Sequence, residues 1–370
     1  MANLFKKYIS GLVTLILSLG IVVPSTYLSN IPLTKAATYS VTNTADSGAG
    51  SLRQAVLDAN GNPGTDTVSF TATGTITLLS TIDIIQAAII DGTTAPDDIP
   101  GSADIILAGS SSIDCFTLSA GDGTTIYGIG FSGCRKGIVI NNQGVSNAQI
   151  GGTSIRQNNY IYGSTSSGIS IEAGNGINVH NNYIGTLGAN NVGVSISGGD
   201  NINIGGDGAL NGNEIVSSTA HGIDVISGTG VNIRANAIGM MFGGAPLGNG
   251  QNGINVQTGS SVNTLLGGSD LTSNIIVNNA ANGILIGSTT QMVTIKRNYI
   301  GITATVGLAG NAQNGISMTS GLNTIGGNTS NQRNYISGNG QNGILLSGPS
   351  AMDNLIKKTI SVQMDREQSL

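Results

Sequence analysis

One short phrase, Gly-Ile-x-Ile or a close variant, recurs through the chain and constrains its fold more than any other feature. Successive copies begin 25 to 32 residues apart. Their glycines are Gly137, Gly168, Gly193, Gly222, Gly253, Gly283, Gly315 and Gly343. Self-similarity at such a period is typical of a solenoid, in which each repeat packs only against its neighbours. The sequence therefore predicts one elongated domain.

Each repeat contains three short segments in which apolar residues stand two apart, as in strands with one buried face. In the repeat that begins at Gly253, we expect the inward side chains to be Ile254, Val256, Val262, Leu265, Ile275 and Val277. No segment of the array keeps a helical spacing of apolar residues. The pattern predicts an all-β parallel β-helix, a solenoid of about ten three-strand rungs, over residues 76–357.

Asparagines recur at matching places in these repeats. An Asn side chain can bond the amide of the next rung, and Asn also tolerates the left-handed backbone of a tight corner. We expect a stacked structural ladder of Asn159, Asn182, Asn213, Asn236, Asn274, Asn298 and Asn334. A second set directly precedes the glycines of the repeated phrase, namely Asn252, Asn282, Asn314 and Asn342.

The first residues have the features of a targeting segment. Lys6 and Lys7 precede an apolar run from Ile9 to Val23, which is shorter than the ~20 residues of a membrane span. Residues 1–36 are therefore predicted to be a signal peptide, with no integral membrane segment left after cleavage. A retained N-terminal anchor is the alternative. Removal of the signal peptide takes away Lys6, Lys7 and Lys35, which leaves 11 basic and 19 acidic residues and a net charge of −8. This balance argues against nucleic acid or an anionic membrane as the main partner.

The chain has two cysteines, Cys115 and Cys134, about one repeat apart. An exported protein reaches a compartment in which a disulfide persists, so a bridge between the two is favoured. Two stacked free thiols are the alternative, and metal binding ranks third because two ligands with no nearby His do not complete a site.

Residues 37–75 are predicted to form an N-terminal cap that begins with a strand and continues as a helix over residues 51–60. Ser51 and Gln54 have the spacing of a capping box. One face of this helix is an apolar stripe formed by Leu52, Ala55, Val56 and Ala59. A short helix with one apolar face must bury that face, and we expect it to close the end of the solenoid.

The segments Ser51–Val56, Asn60–Phe70 and Gly74–Leu78 carry a family resemblance. They resemble the opening of secreted right-handed parallel β-helix proteins with a Ser-Leu-Arg-Glu-Ala-like cap, which have the pectate-lyase-like superfold. Gln54 replaces the commoner acidic residue, and the Cys that often precedes this motif is absent. The resemblance covers nearly the whole mature chain and implies a right-handed β-helix. It does not select an activity, because such proteins include adhesins, envelope proteins and modules of carbohydrate-active enzymes.

Residues 358–370 depart from the repeat. Our hypothesis is that the reading frame slips there, because a shifted frame can encode the missing Asn-Tyr-Ile-Gly phrase. An exposed last rung would then favour self-association through its strand edges.

Few residues of the array are candidates for chemistry, and no catalytic residue is assigned. Glu172 and Asp224 are the weak carboxylate candidates. They lie on the same strand of different rungs, ~12 Å apart, which exceeds the separation of the carboxyl groups in glycosidases. His180, Arg234 and Lys296 precede ladder asparagines on alternate rungs, so we expect a column of cations ~10 Å apart that suits an acidic glycan. Scattered solubilising charge is the alternative reading. No metal site and no cofactor are predicted, with Ca²⁺ the one ion left open.

These observations favour a secreted or cell-surface β-helix module of a bacterial-type envelope. The expected function is non-catalytic, namely adhesion, structure or glycan binding, with a polysaccharide or surface glycan as partner. The alternative is a polysaccharide lyase or glycoside hydrolase module that acts on an acidic polysaccharide.

Overall fold

The computed structural model describes residues 35–96, 103–154, 156–208, 211–257, 261–262, 264–268, 272–303 and 307–362. The predicted signal peptide therefore lies almost entirely outside the described residues. Three parallel sheets wind around one apolar interior as a right-handed parallel β-helix of about ten rungs, and in each complete rung the chain passes from the first sheet to the second and then to the third. The predicted fold class is confirmed.

The first sheet has twelve strands. They are β1 (Thr38–Val41), β2 (Asp66–Phe70), β5 (Ala88–Asp91), β8 (Thr125–Tyr127), β11 (Gln149–Ile150), β14 (Asn178–Val179), β17 (Asn203–Ile204), β20 (Asn232–Ile233), β24 (Leu265–Leu266), β27 (Thr294–Ile295), β32 (Thr324–Ile325) and β35 (Leu355–Ile356).

The second sheet has eleven strands. They are β3 (Gly74–Thr77), β6 (Ile105–Ala108), β9 (Ile129–Ser132), β12 (Tyr160–Tyr162), β15 (Tyr183–Ile184), β18 (Glu214–Ile215), β21 (Ala237–Ile238), β25 (Ile275–Ile276), β28 (Tyr299–Ile300), β33 (Tyr335–Ser337) and β36 (Ile360–Val362). A hairpin of β29 (Ile302–Thr303) and β30 (Gly307–Leu308) follows β28.

The third sheet has ten strands in one path and one short strand beside them. The path consists of β4 (Ile82–Ile84), β7 (Phe116–Leu118), β10 (Lys136–Ile140), β13 (Ser167–Ile171), β16 (Val192–Asp200), β19 (Ile223–Thr229), β22 (Ile254–Val256), β26 (Ile284–Ile286), β31 (Ile316–Met318) and β34 (Ile344–Leu346), and β23 (Ser261–Val262) pairs with β19. The side chain of Val262, which we expect to point inward, lies outside what the structure describes.

The repeated Gly-Ile-x-Ile phrase forms the third sheet in strict register. Ile138 pairs with Ile169, Ile169 with Val194, and Ile223 with Ile254. All of these side chains are fully buried. Because neighbouring strand residues face opposite ways, the residue between the two apolar positions of each phrase faces outward.

The register of the other two sheets differs by one residue from the sequence expectation. In the rung that begins at Gly253, Leu266 and Ile276 are fully buried, whereas Leu265 and Ile275 are only partly buried. The expectation that Leu265 and Ile275 point inward was therefore wrong. A strand of only two residues has no alternation long enough to fix its face, and the ladder asparagine before Ile275 takes the inward position instead.

Helix α1 (Leu52–Gly61) closes the N-terminal end of the solenoid. The Ser51 hydroxyl accepts a hydrogen bond from the Gln54 N–H at 3.2 Å, as an N-cap residue does. The predicted stripe of Leu52, Ala55, Val56 and Ala59 is buried in the same core as the first rungs. The short capping helix is thus confirmed.

At the other end, β36 pairs in parallel with β33, although its sequence departs from the repeat. Thr359 precedes Ile360 where Asn334 precedes Tyr335, so a hydroxyl replaces the ladder amide on this rung. Among the described residues, no helix has the length and apolar character needed to cross a membrane.

Candidate functional site

The outer face of the third sheet carries a row of polar side chains on successive rungs. Strand pairing places Ser170 beside Ser195, Ser195 beside Asp224, and Asp224 beside Asn255. Parallel strands lie ~4.8 Å apart, so these four side chains form a straight column. We call these four residues, together with Lys136, Glu172, His221 and Gln257, the third-sheet polar face.

One end of the polar face is an ion pair. Lys136 on β10 donates to the Glu172 carboxylate, and the Ser170 hydroxyl donates to the same oxygen at 2.9 Å. Partial burial works to raise the pKa of Glu172, but the hydrogen bonds from Lys136 and Ser170 outweigh it and hold the pKa below its usual value. Glu172 is therefore an anion at neutral pH and does not serve as a general acid.

The other end is centred on Asp224, whose exposed fraction is only 7%. The Gln257 amide donates to both carboxylate oxygens at 2.8 Å, and the Asn255 amide donates to one of them at 2.8 Å. Three amide hydrogen bonds hold this carboxylate as an acceptor in a fixed orientation.

His221 stands beside Asp224 on the same edge of the polar face. Its Nδ1 accepts a hydrogen bond from the Asn252 N–H at 3.3 Å. Burial lowers the pKa of His221, and the nearby Asp224 carboxylate offsets this only in part. The imidazole is therefore neutral near pH 7 and carries its proton on Nε2, so it can donate to a ligand.

The arrangement does not form a glycosidase pair. Glu172 and Asp224 lie two rungs and two residues apart, or ~12 Å, whereas paired catalytic carboxyl groups lie ~5 to ~9.5 Å apart. Within the part of the chain that the structure describes, no three His, Cys, Asp or Glu side chains are grouped so that they could hold a metal ion.

The predicted cation column does not form an open cationic row. His180 is 7% exposed, its Nδ1 lies 3.2 Å from the Gly152 carbonyl oxygen, and burial lowers its pKa, so it is neutral near pH 7. Arg234 donates to Asp207 at 2.7 Å, which neutralises it. Lys296 follows β27 in the same register. The three residues do share alternate rungs, but only Lys296 offers a cation without a carboxylate partner among the described residues.

The seven predicted ladder asparagines lie one above another between the first and second sheets. Asn182 donates to Asn213 at 2.9 Å, and Asn236 donates to Asn274 at 3.1 Å. The remaining links run from Asn159 to Asn182, Asn213 to Asn236, Asn274 to Asn298 and Asn298 to Asn334. The second set, Asn252, Asn282, Asn314 and Asn342, also forms a ladder, and its first member donates its backbone N–H to His221.

Sequence reasoning did not select Lys136, His221 or Gln257. A signal for all three was present, because each occupies a fixed offset from the repeated phrase. Lys136 and His221 directly precede its glycine, and Gln257 follows its second apolar residue.

Cys115 and Cys134 form a disulfide with a Cα–Cα distance of 5.8 Å, and both are fully buried. Such bonds persist in oxidising compartments. The bridge indicates an extracytoplasmic protein.

The comparisons with known proteins support the fold. No protein-family model and no curated protein match the chain. Among solved structures, a point mutant of the periplasmic alginate epimerase AlgG is similar with a TM-score of 0.52 and 13% identity over 81% of this chain and 75% of that one. The A-module of the Azotobacter vinelandii mannuronan C-5 epimerase AlgE6 has a TM-score of 0.48 and 16% identity over 88% of both chains. At such identities the likeness establishes the pectate-lyase-like β-helix alone.

Proposed function

We propose that this chain is an exported β-helix protein that binds an extended polysaccharide along its third-sheet polar face. The observation that carries the proposal is the straight column of Ser170, Ser195, Asp224 and Asn255. Hydroxyl, carboxylate and amide groups are the partners that sugar hydroxyls bond to, and a column that runs over four successive rungs suits a ligand that is itself a repeating polymer. The similarity in fold to an alginate epimerase supports a polysaccharide as the ligand class.

Binding without cleavage is the form of this function that the geometry favours. Elimination next to a sugar carboxylate needs a base and a cation that meet at one sugar unit. Lys136 and His221 are three rungs apart, at ~14 Å. The separation of Glu172 and Asp224 likewise disfavours hydrolysis. The role we propose is adhesive or structural, at the cell surface or outside the cell, after removal of the signal peptide.

A polysaccharide lyase or glycoside hydrolase module that acts on an acidic polysaccharide is the second candidate. The fold it would share with alginate epimerase AlgG favours it, as does the neutral His221 beside Asp224. In this case His221, beside Asp224, would accept the proton next to the sugar carboxylate, and Lys136, three rungs away, would bind the polymer farther along its length.

One experiment tests both candidates. The mature protein is run through native gels that contain polygalacturonate, polymannuronate or a neutral glucan, and the same mixtures are assayed for new reducing or unsaturated ends. Retardation by a polysaccharide without new ends is the expected result. New ends would establish the enzyme, and unchanged migration in every gel would reject polysaccharide binding.

A further inference from the structure

The charges of this chain are segregated along its length. No Asp or Glu occurs between Asp270 and Asp353. Five cations lie in or just after this stretch, whereas the whole chain has 19 acidic and 14 basic residues. These cations are Lys296, Arg297, Arg333, Lys357 and Lys358. We call these five residues the basic corner.

Strand pairing brings the basic corner together. Tyr299 pairs with Tyr335, and Tyr335 pairs with Ile360. Arg297, Arg333 and Lys358 each stand two residues before one of these partners, so they occupy equivalent places on three successive rungs. Lys296 and Lys357 directly precede two of them. Five cations therefore lie at the corner between the first and second sheets, within two rung spacings of ~4.8 Å each.

The charge of this corner is available to a ligand. Lys296, Arg333, Lys357 and Lys358 form no ion pair with any residue that the structure describes. Each is at least partly exposed. Arg234, by contrast, occupies the same kind of corner but is paired with Asp207.

Aromatic rings flank these cations on the second sheet. The Tyr299 and Tyr335 rings stack with centroids 5.1 Å apart, and both are partly exposed. The Arg297 guanidinium carbon lies 5.6 Å from the Tyr299 centroid and 5.5 Å from that of Tyr335. A guanidinium held beside aromatic rings is fixed in position, so it binds an anion with less loss of side-chain freedom.

We propose that the basic corner is a second binding site, which takes an acidic polysaccharide with a carboxylate on each sugar unit. Cations one rung apart match a polymer whose charges repeat at about the length of one sugar. Planar guanidinium groups bind carboxylates in a bidentate manner, and tyrosines offer hydroxyls and ring edges to the sugar. The net negative charge of the rest of the chain repels any polyanion equally. The choice of a polysaccharide over nucleic acid therefore rests on the rung spacing of the cations and on the two partly exposed tyrosines.

This site is distinct from the third-sheet polar face. The corner between the first and second sheets lies across each rung from the third sheet, because the chain passes through the three sheets in turn. Substitutions at one surface therefore report on that surface alone. The inference shares with the proposed function only the assumption of a polysaccharide ligand.

The test measures dissociation constants of the mature protein for polygalacturonate, neutral dextran and a DNA duplex of equal charge, each at low and high NaCl. The key variant combines Arg333→Gln, Lys357→Gln and Lys358→Gln, and Arg234→Gln is the matched control at an already neutralised corner. Circular dichroism and thermal midpoints verify that each variant is folded. We expect the protein to bind polygalacturonate in a salt-sensitive manner and not to bind dextran. The affinity for polygalacturonate should fall about tenfold or more in the triple variant and stay unchanged in the control.

Three results would overturn the proposal: equal affinity of the triple variant and the wild type, binding of dextran that is as tight as that of polygalacturonate and equally weakened in the triple variant, or DNA binding that is tighter and lost in the triple variant. Asp224→Ala separates the two sites. Loss of binding in Asp224→Ala alone assigns the ligand to the polar face and rejects the basic corner. Loss in the triple variant alone supports the basic corner and rejects the polar face.

Discussion

The carbonyl oxygen of His180 occupies the space in which a Cβ atom at Gly151 would lie. The same relationship joins Gly205 to Arg234, Gly267 to Lys296 and Gly326 to Lys357, and each of these glycines has a positive φ. A glycine thus alternates with a residue that has a side chain at this corner. This alternation makes two rungs the true repeat of the solenoid.

The contact predicts that Gly205→Ala is strongly destabilising. The new methyl group would meet the Arg234 carbonyl oxygen, and the backbone at φ +80 would also be strained. We expect a loss of about 3 kcal/mol or more in the free energy of unfolding, measured in urea. Gly123→Ala is the matched control, because its φ is +81 and nothing lies within 4 Å of the added Cβ. Its cost should be only about 1 kcal/mol, and equal losses in the two variants would contradict the steric account.

The Asn ladder predicts a large cost for Asn236→Ala. The Asn236 amide donates to Asn274 and to the Ile204 carbonyl oxygen, and its oxygen accepts from Asn213. Removal leaves buried polar groups without partners, so we expect a loss of about 3 kcal/mol in urea unfolding. Asn141→Ala, at an exposed position, should change the free energy of unfolding by less than about 0.5 kcal/mol. A similar small change in Asn236→Ala would show that the ladder does not stabilise the fold.

The disulfide predicts sensitivity to reduction. Cys115 and Cys134 close a loop of 19 residues, so the chain-entropy model gives about 3 kcal/mol of stabilisation. The double variant Cys115→Ser with Cys134→Ser should unfold at a correspondingly lower urea concentration. Reductant should lower the stability of the wild type and leave the variant unchanged. A reductant effect of equal size in both proteins would contradict this prediction.

His180 predicts a loss of stability in mild acid. The pKa of His180 is 6.5 in the unfolded chain, and burial lowers it in the folded chain. Below pH 6.5 the unfolded chain therefore binds a proton that the folded chain does not. Stability is therefore fully present above the unfolded pKa and falls as the pH drops below it. His180→Gln removes this titration, and we expect a smaller decrease in the urea midpoint between about pH 7.5 and about pH 5.5. His221, whose pKa burial also lowers, stays in both proteins and serves as a common background.

The fold could be predicted from the sequence because the residues that determine it recur in every repeat. Each Gly-Ile-x-Ile copy pairs with the next in register, and periodic spacing alone predicts such pairing. The sequence could not predict which face of a two-residue strand points inward, as Leu265 and Leu266 show. Both are apolar, so alternation could not decide which of them points inward.

The candidate sites could be predicted only in part, for a different reason. The spacing of His180, Arg234 and Lys296 gave their shared register, but charge state depends on neighbours far apart in sequence. Asp207, which is 27 residues from Arg234 in sequence, neutralises it. His180 is buried by packing at the same corner. Likewise, Lys136 and Glu172 meet only because adjacent rungs bring together residues 36 apart in the chain.

The central claim is that the third-sheet polar face binds the polysaccharide. Its most direct test is the dissociation constant of Asp224→Ala for the polysaccharide that the wild type binds best, with Asn203→Ala as control. Asn203 also faces outward in a polar column, but on the first sheet. The account predicts that Asp224→Ala weakens binding about tenfold or more, while Asn203→Ala binds as the wild type does. Wild-type affinity in Asp224→Ala, with the fold intact, would contradict it.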